Sequence, residues 1–291
     1  ATGQSLRIRC RCHATGQKAA CAGRAGSGSA GATMSLSPDR LDRFARHIVL
    51  PEIGGAGQVA LAGKHLVLVG LGGIGSPALQ YLAAAGIGRL TLVDDDRVDP
   101  SNLQRQTLYC ERDIGHGKAV AAKRWVTGFD PVLAVEISDR RITPDNAAAL
   151  VAGVDAVLDG TDNFATRLAV SDACVAAGVP LVAAAVGRFQ GQVAAFAGHR
   201  EDQSCYRCFV GDAFDADDCD SCAEDGMVGA MAGWVGSFAA LHALRVLLGG
   251  AGNLGDCHWG KVFLLDGLAP SLKAFAIAKD PACKACGSAA R

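Results

Sequence analysis

The sequence predicts an α/β fold: a doubly wound, Rossmann-like and mostly parallel sheet, with added antiparallel strands and cysteine pairs suited to zinc. Three observations lead there. Short apolar runs at 66–69, 90–93, 156–158 and 181–186 alternate with helix-patterned segments, as expected of parallel strands covered on both faces. The first run leads into Gly70-Leu71-Gly72-Gly73-Ile74-Gly75, a turn of the kind that joins strand to helix around a phosphate. Acidic residues close the next two runs, Asp94-Asp95-Asp96 and Asp159 with Asp162. Ligands of open α/β sheets bind at that end of the strands.

The elements follow in order. Ser37-Pro38-Asp39 opens a helix with an N-cap and a proline in its first turn; the helix carries Arg40, Arg43, Phe44 and Arg46. Gly54-Gly55-Ala56-Gly57 breaks the helical pattern. The strand at 66–69 is followed by a helix at 76–85, ended by Gly86. A second strand spans 90–93, and a helix at 118–129 is stopped by Asp130-Pro131. A strand at 133–137, a helix at 144–151 and a strand at 156–158 come next, then a helix at 167–177 and a strand at 181–186. Segments 192–196 and 262–265 add strands outside the first half. The stretch 227–250 is apolar and rich in small residues, but Trp234, Ser237, His242 and Arg245 interrupt it. It reads as a buried helix, and no run reaches the ~20 apolar residues of a bilayer span.

The chain has 291 residues, half of them apolar, enough for a sizeable core. Its net charge of −1 argues against bulk attraction to nucleic acid or an anionic membrane. Residues 1–33 are rich in Ala, Gly, Ser, Arg and Cys and lack the compact apolar core of a signal peptide. An organelle transit peptide is one reading of them; a disordered leader or upstream translated segment is preferred, and Cys10, Cys12 and Cys21 receive no role. The cytoplasm is the expected location.

Chemistry concentrates after the first two strands. Gly70, Gly72, Gly73 and Gly75 allow a tight turn and close backbone approach to phosphate. Asp94, ending the second strand, is placed to hold ribose hydroxyls. Asp96 suits a cap or a metal contact. Asn102, Gln104 and Arg105 exceed what a nicotinamide cofactor needs, and Arg105 with Lys118 suits a triphosphate and the charge moving at its α-phosphorus. No G-x-x-x-x-G-K-[ST] element is present, so ATP would bind in a Rossmann-like mode. Asp162, at the end of a further strand, is either a helix N-cap or a Mg²⁺ ligand beside the phosphates.

Three C-x-x-C pairs occur: Cys205/Cys208, Cys219/Cys222 and Cys283/Cys286. Two such pairs suffice for a tetrahedral Zn²⁺ site, and spacing leaves open which two. Disulfides are the weaker reading without a secretion signal. Cys110, Cys174 and Cys257 read as packing residues.

From about Arg43 to Gly287 the chain resembles the ThiF/MoeB/HesA family of adenylyltransferases, relatives of ubiquitin-activating enzymes, and within it the molybdopterin-synthase branch. The resemblance rests on Arg43-Phe44-Ala45-Arg46-His47-Ile48, the loop 70–75, Asp94-Asp95-Asp96 and Ser101-Asn102-Leu103-Gln104-Arg105-Gln106. Gly115-His116-Gly117-Lys118, Asp159-Gly160-Thr161-Asp162-Asn163, Cys205-Tyr206-Arg207-Cys208 and Cys283-Lys284-Ala285-Cys286 complete it.

The resemblance implies ATP-dependent adenylylation of the C-terminal Gly-Gly carboxylate of a ubiquitin-like sulfur carrier. The product feeds thiocarboxylate formation in molybdopterin cofactor synthesis (a MoaD-type carrier) or, alternatively, thiamine synthesis (a ThiS-type carrier). It assigns Gly73 and Asp94 to the nucleotide, Asn102, Arg105 and Lys118 to the phosphates, and Asp162 to Mg²⁺ and catalysis. It brings Arg46 from a neighbouring subunit, implying a homodimer. It selects Cys205, Cys208, Cys283 and Cys286 as zinc ligands, and leaves Cys222 outside the catalytic set. It divides residues 34–291 into a nucleotide-binding half, about 34–190, and a carrier-binding and zinc half, about 191–287. With no rhodanese domain after Cys286, a separate sulfur donor is expected. Two other readings remain: an NAD-dependent oxidoreductase, which leaves Arg105, Lys118, Asp162 and the cysteines unexplained, and a nucleotide-bound scaffold for sulfur transfer.

Overall fold

A computed structural model describes residues 36–211, 226–249 and 254–287. The leader, Cys219 and Cys222 lie outside the described residues. Within them the strands are β1 (His65–Val69), β2 (Arg89–Val93), β3 (Ala134–Ser138), β4 (Ala156–Asp159), β5 (Leu181–Gly187), β6 (Gln190–Phe196), β7 (Lys261–Asp266) and β8 (Ser271–Ala276). They form one sheet in the order β3-β2-β1-β4-β5-β6-β7-β8. Strands β1 to β5 pair in parallel, whereas β6, β7 and β8 join antiparallel. The predicted class is therefore the observed one, with β8 as an addition. No face of β8 is fully covered: every residue in it is at least partly exposed. That is why Ser271–Ala276 carries no continuous apolar run.

The helices are α1 (Pro38–Arg43), α2 (Ala45–Ile48), α3 (Gly54–Ala62), α4 (Gly75–Ala84), α5 (Lys118–Phe129), α6 (Pro144–Val151), α7 (Phe164–Ala177), α8 (Tyr206–Val210) and α9 (Gly229–Leu247). In β1, Leu66 and Leu68 join one apolar cluster with Leu79 and Leu82 of α4. Val67 and Val69 join the other with Val151 of α6 and Leu168 and Val170 of α7. Burial on both faces explains the uninterrupted run, each such side chain contributing roughly 1.5–3 kcal/mol.

One expectation is corrected. Gly54-Gly55-Ala56-Gly57 does not break the chain but begins α3. Gly54 sits at φ +61°, and a Cβ on Gly57 would lie 3.2 Å from Ile53 Cγ2 and 3.6 Å from Leu248 Cδ2. Close packing, with Gln58 and Leu61 fully buried, outweighs the poor helix propensity of glycine. Helix α9 is long and apolar enough by composition to cross a membrane, yet half of the tested window is buried. It packs on α4, β5 and β6.

The chain adds β2 and β3 on one side of β1, then returns to place β4 on the other. The loops after β1 and β4 therefore diverge, creating a topological switch point where an open α/β sheet holds its ligand.

Candidate active site

The glycine loop starts at the carboxyl end of β1. The Gly70 N–H donates to Val93 O, and the Gly160 N–H to Val69 O, both at 2.9 Å, so the ends of β2, β1 and β4 lie side by side. Gly70 has φ +80°, and a Cβ there would sit 3.0 Å from Gly160 C and Thr161 N. A Cβ on Gly75 would overlap the Gly70 carbonyl; this glycine serves the close strand–helix packing and does not line the cleft. Ile74 at the start of α4 gives no side-chain cap; the Ser76 N–H donates to Gly72 O at 2.9 Å and Pro77 has no N–H, so α4 offers an anion chiefly the positive end of its dipole.

An open cleft of about 450 Å³ lies over this junction, a size suited to a small-molecule ligand. It gathers Gly70, Gly72 and Gly73, then Asp94, Asp96 and Asn102, then Arg105, Lys118 and Asp162. Arg46 is exposed on α2 and does not line it.

Asp94 Oδ2 accepts the Leu71 N–H at 2.6 Å, and Oδ1 accepts the Asp96 N–H at 2.9 Å. The carboxylate thus ties the glycine loop to the end of β2, and each oxygen keeps further acceptor capacity. Burial raises its pKa, while the Lys118 charge and the two N–H donors act in the opposite direction. The Tyr109 hydroxyl, whose pKa burial raises, donates to Leu71 O at 3.0 Å and steadies the same loop.

Lys118 is the first residue of α5, with its side chain 7% exposed and its Nζ 2.8 Å from Asp96 Oδ2. Asn102 closes a capping box with Asp99 on a short 3₁₀ turn, and Arg105 Nη1 donates to Ser101 O at 2.9 Å. That turn presents Arg105 beside the loop: a Cβ on Gly73 would lie 3.7 Å from Arg105 Cδ.

The N-cap alternative for Asp162 is taken by its neighbour. Asn163 caps α7, its Oδ1 accepting the Thr166 N–H at 2.9 Å. Asp162 is exposed, lines the cleft and has no hydrogen bond or ion pair among the described residues. A carboxylate left unpaired beside cationic groups fits a Mg²⁺ ligand.

Sequence reasoning quoted Gln106 but gave it no task. It lines the cleft at 3% exposure, and its buried Oε1 has no hydrogen-bond partner among the described residues. Its isolation arises from tertiary burial and leaves no trace in local spacing.

A second centre lies at Cys205, Cys208, Cys283 and Cys286. Their sulfurs all fall within 4.8 Å of one another, with separations of 3.8, 3.6 and 3.4 Å for 205–208, 205–283 and 208–286. Tetrahedral Zn²⁺ with Zn–S near ~2.3 Å sets sulfurs about 3.8 Å apart, so the set fits zinc. The Asp280 N–H donates to Cys208 Sγ at 3.4 Å, support of the kind that favours thiolate. Donation from Cys205, with this N–H, lowers the Cys208 pKa to about 4. All seven described cysteines are free thiols. Cys174 and Cys257 pack inside as expected, whereas Cys110 is exposed and bonds Asp113; a polar loop places it at the surface.

A phosphate-type glycine loop at the switch point, a cleft of mixed charge and a structural four-cysteine centre define a Rossmann-like nucleotide-binding enzyme. Residues 44–285 match the ThiF family, and the chain belongs to that family of adenylyltransferases. It is 41% identical over 257 residues to the sulfur carrier protein adenylyltransferase of Thermus thermophilus, covering 87% of this chain and 93% of that protein. Over 255 residues it is 39% identical to the SAMP-activating enzyme E1 of Haloferax volcanii, covering 88% and 92%. Adenylyltransferase and sulfurtransferase MOCS3 of Mus musculus is 39% identical over 87% of this chain, which spans 54% of that protein. Among solved structures, E. coli MccB with MccA-N7isoASN shares the fold at a TM-score of 0.72 and 19% identity, covering 85% of this chain and 75% of that one.

Proposed function

We propose that the chain adenylylates the C-terminal Gly-Gly carboxylate of a ubiquitin-like sulfur carrier, preparing it to become a thiocarboxylate. The observation that carries this reading is the meeting of the glycine loop with Arg105, Lys118 and the unpaired Asp162 in one cleft. The names of the relatives above support the carrier as substrate.

In this reading the glycine loop and the positive end of the α4 dipole hold nucleotide phosphate, Asp94 takes the ribose, and the Gln106 amide finds its missing partner on the nucleotide. A carboxylate oxygen of the carrier attacks the α-phosphorus of ATP. The new O–P bond forms as the bond to the bridging oxygen breaks, and pyrophosphate leaves with that electron pair. Both reactants are anions, so the cationic groups of Arg105 and Lys118, with Asn102 beside them, offset their repulsion and the charge on the leaving group. Asp162 would hold Mg²⁺, which when bound would further neutralise the phosphates. Arg46 lies outside the cleft of its own chain, so its role requires a second copy, and the homodimer belongs to this proposal. So does a division of labour between residues 34–190 and 191–287, with the carrier on the second half.

The preferred carrier is the MoaD type of molybdopterin synthesis, with the ThiS type of thiamine synthesis as the alternative and a separate protein as sulfur donor. The free cysteines suit a reducing compartment such as the cytoplasm.

ATP–pyrophosphate exchange with each carrier type tests this. Exchange that needs one carrier's intact Gly-Gly end supports the reading and names the pathway. A zinc-loaded protein that binds ATP but gives no exchange with either carrier contradicts it and favours the scaffold.

A further inference from the structure

We propose that Arg167 is a positioning residue that fixes the Asp162 loop and ties it to the four-cysteine site. The inference deepens the proposed function and rests on it for its catalytic part. Arg167 is 7% exposed on α7, next to Leu168 of an apolar cluster. Burying a guanidinium is costly when its donors lack partners, so its bonds explain its presence.

Those bonds reach three elements. Nε donates to Thr161 O at 2.9 Å, and Nη2 donates to the same carbonyl. Nη2 also donates to Ala184 O of β5 at 3.1 Å, and Nη1 to the Tyr206 hydroxyl at 3.4 Å. Thr161 is held from its other side by Asp159 Oδ1, which accepts its N–H at 2.9 Å and its hydroxyl at 2.7 Å. The Thr161 carbonyl belongs to the peptide that enters Asp162. Fixing that peptide plane limits Asp162 to rotation about its own bonds, so the exposed carboxylate is aimed although no side chain touches it. Tyr206 directly follows Cys205. The path Cys205–Tyr206–Arg167–Thr161–Asp162 therefore joins the sulfur cluster to the cleft through one guanidinium. A lysine cannot copy the fork, because its single ammonium does not span three acceptors in fixed geometry.

The test compares zinc-loaded full chain with Arg167→Lys and Tyr206→Phe. Hydrogen exchange is read over residues 159–165, with zinc content, ATP affinity, and kcat and KM for carrier-dependent pyrophosphate exchange. Arg167→Lys is expected to retain zinc and to bind ATP within about threefold. Its loop amides exchange at least about tenfold faster, and kcat falls by about 100-fold, the scale of an ångström-level misplacement. Tyr206→Phe gives the same pattern in weaker form. Unchanged loop exchange in Arg167→Lys, or accelerated loop exchange with wild-type kcat, overturns the inference. A wild type silent in pyrophosphate exchange contradicts the proposed function, and loop hydrogen exchange still decides whether Arg167 positions the loop.

Discussion

Lys118 stands where stability alone would not put a cation: at the first position of α5, 7% exposed, against the positive end of a helix dipole. Asp96 offsets part of that, but Asp96 is 62% exposed and the pair is partly solvated. In the proposed function that charge serves the phosphates. Lys118→Met is therefore expected to leave the thermal midpoint unchanged or raised while lowering carrier-dependent exchange by about 100- to 1,000-fold; thermal melts and exchange assays check both. Asp162 makes the complementary case, having no partner to lose. Asp162→Asn should keep ATP binding within about threefold and stability within ~0.5 kcal/mol, yet lose exchange by at least about 100-fold. Calorimetric ATP titration beside the exchange assay distinguishes this from a binding defect. That these residues meet at one place was legible because it rests on residue type and short spacing: glycines after a strand, Asp94 at a strand end, Arg105 and Lys118 beyond it. Gln106 and Arg167 were not, because their importance comes from partners distant in sequence, or from the lack of one.

At the scale of elements, the sequence predicted α5 and α6 closely because both carry explicit punctuation. Asp130-Pro131 stops α5, and Thr143-Pro144 opens α6 with a capping box. The start of α7 was read three residues late, at 167, whereas the helix begins at Phe164 behind its cap Asn163. Helix α3 and strand β8 were illegible for opposite reasons: α3 uses glycines for tertiary packing, and β8 is an edge strand without a buried face. The four-cysteine element joins α8 to the segment after β8 across 78 residues of sequence. Spacing limited the ligands to three pairs, the family resemblance selected 205/208 with 283/286, and the fold brings those four sulfurs together. Metal binding at such a site adds directly to folding free energy. Chelation of the zinc is therefore expected to lower the thermal midpoint by at least ~5 °C and to speed hydrogen exchange in α8 and residues 279–287. Cys283→Ser should reproduce the shift, as scanning calorimetry and metal analysis will show.

At the scale of the whole molecule, stability should fall in mild acid. His242 on α9 is buried against Phe238 and Phe263, and neither ring nitrogen has a partner among the described residues. Burial, then the charges of Arg245 and His258, lower its pKa to about 4 from 6.5. The unfolded chain takes up this proton below pH 6.5 and the folded one only near pH 4. Stability is thus lost as pH falls through that window, by roughly 3 kcal/mol in full. Burial lowers the His65 and His199 pKa values as well, which acts in the same direction. His242→Phe should flatten the change in urea midpoint between pH 7 and pH 5. The chain's return across β1 opens the cleft, and residues from the ends of β1, β2 and β4 meet there. In the proposed reaction this cleft joins AMP to a carrier's C-terminal carboxylate. Its most direct test is intact-protein mass spectrometry of each Gly-Gly carrier after incubation with the enzyme, ATP and Mg²⁺. The expected product is a carrier bearing one AMP at its C-terminus, formed with release of pyrophosphate and absent with Asp162→Asn. ATP bound without any AMP-carrying carrier, or AMP released with no need for the Gly-Gly end, would contradict it.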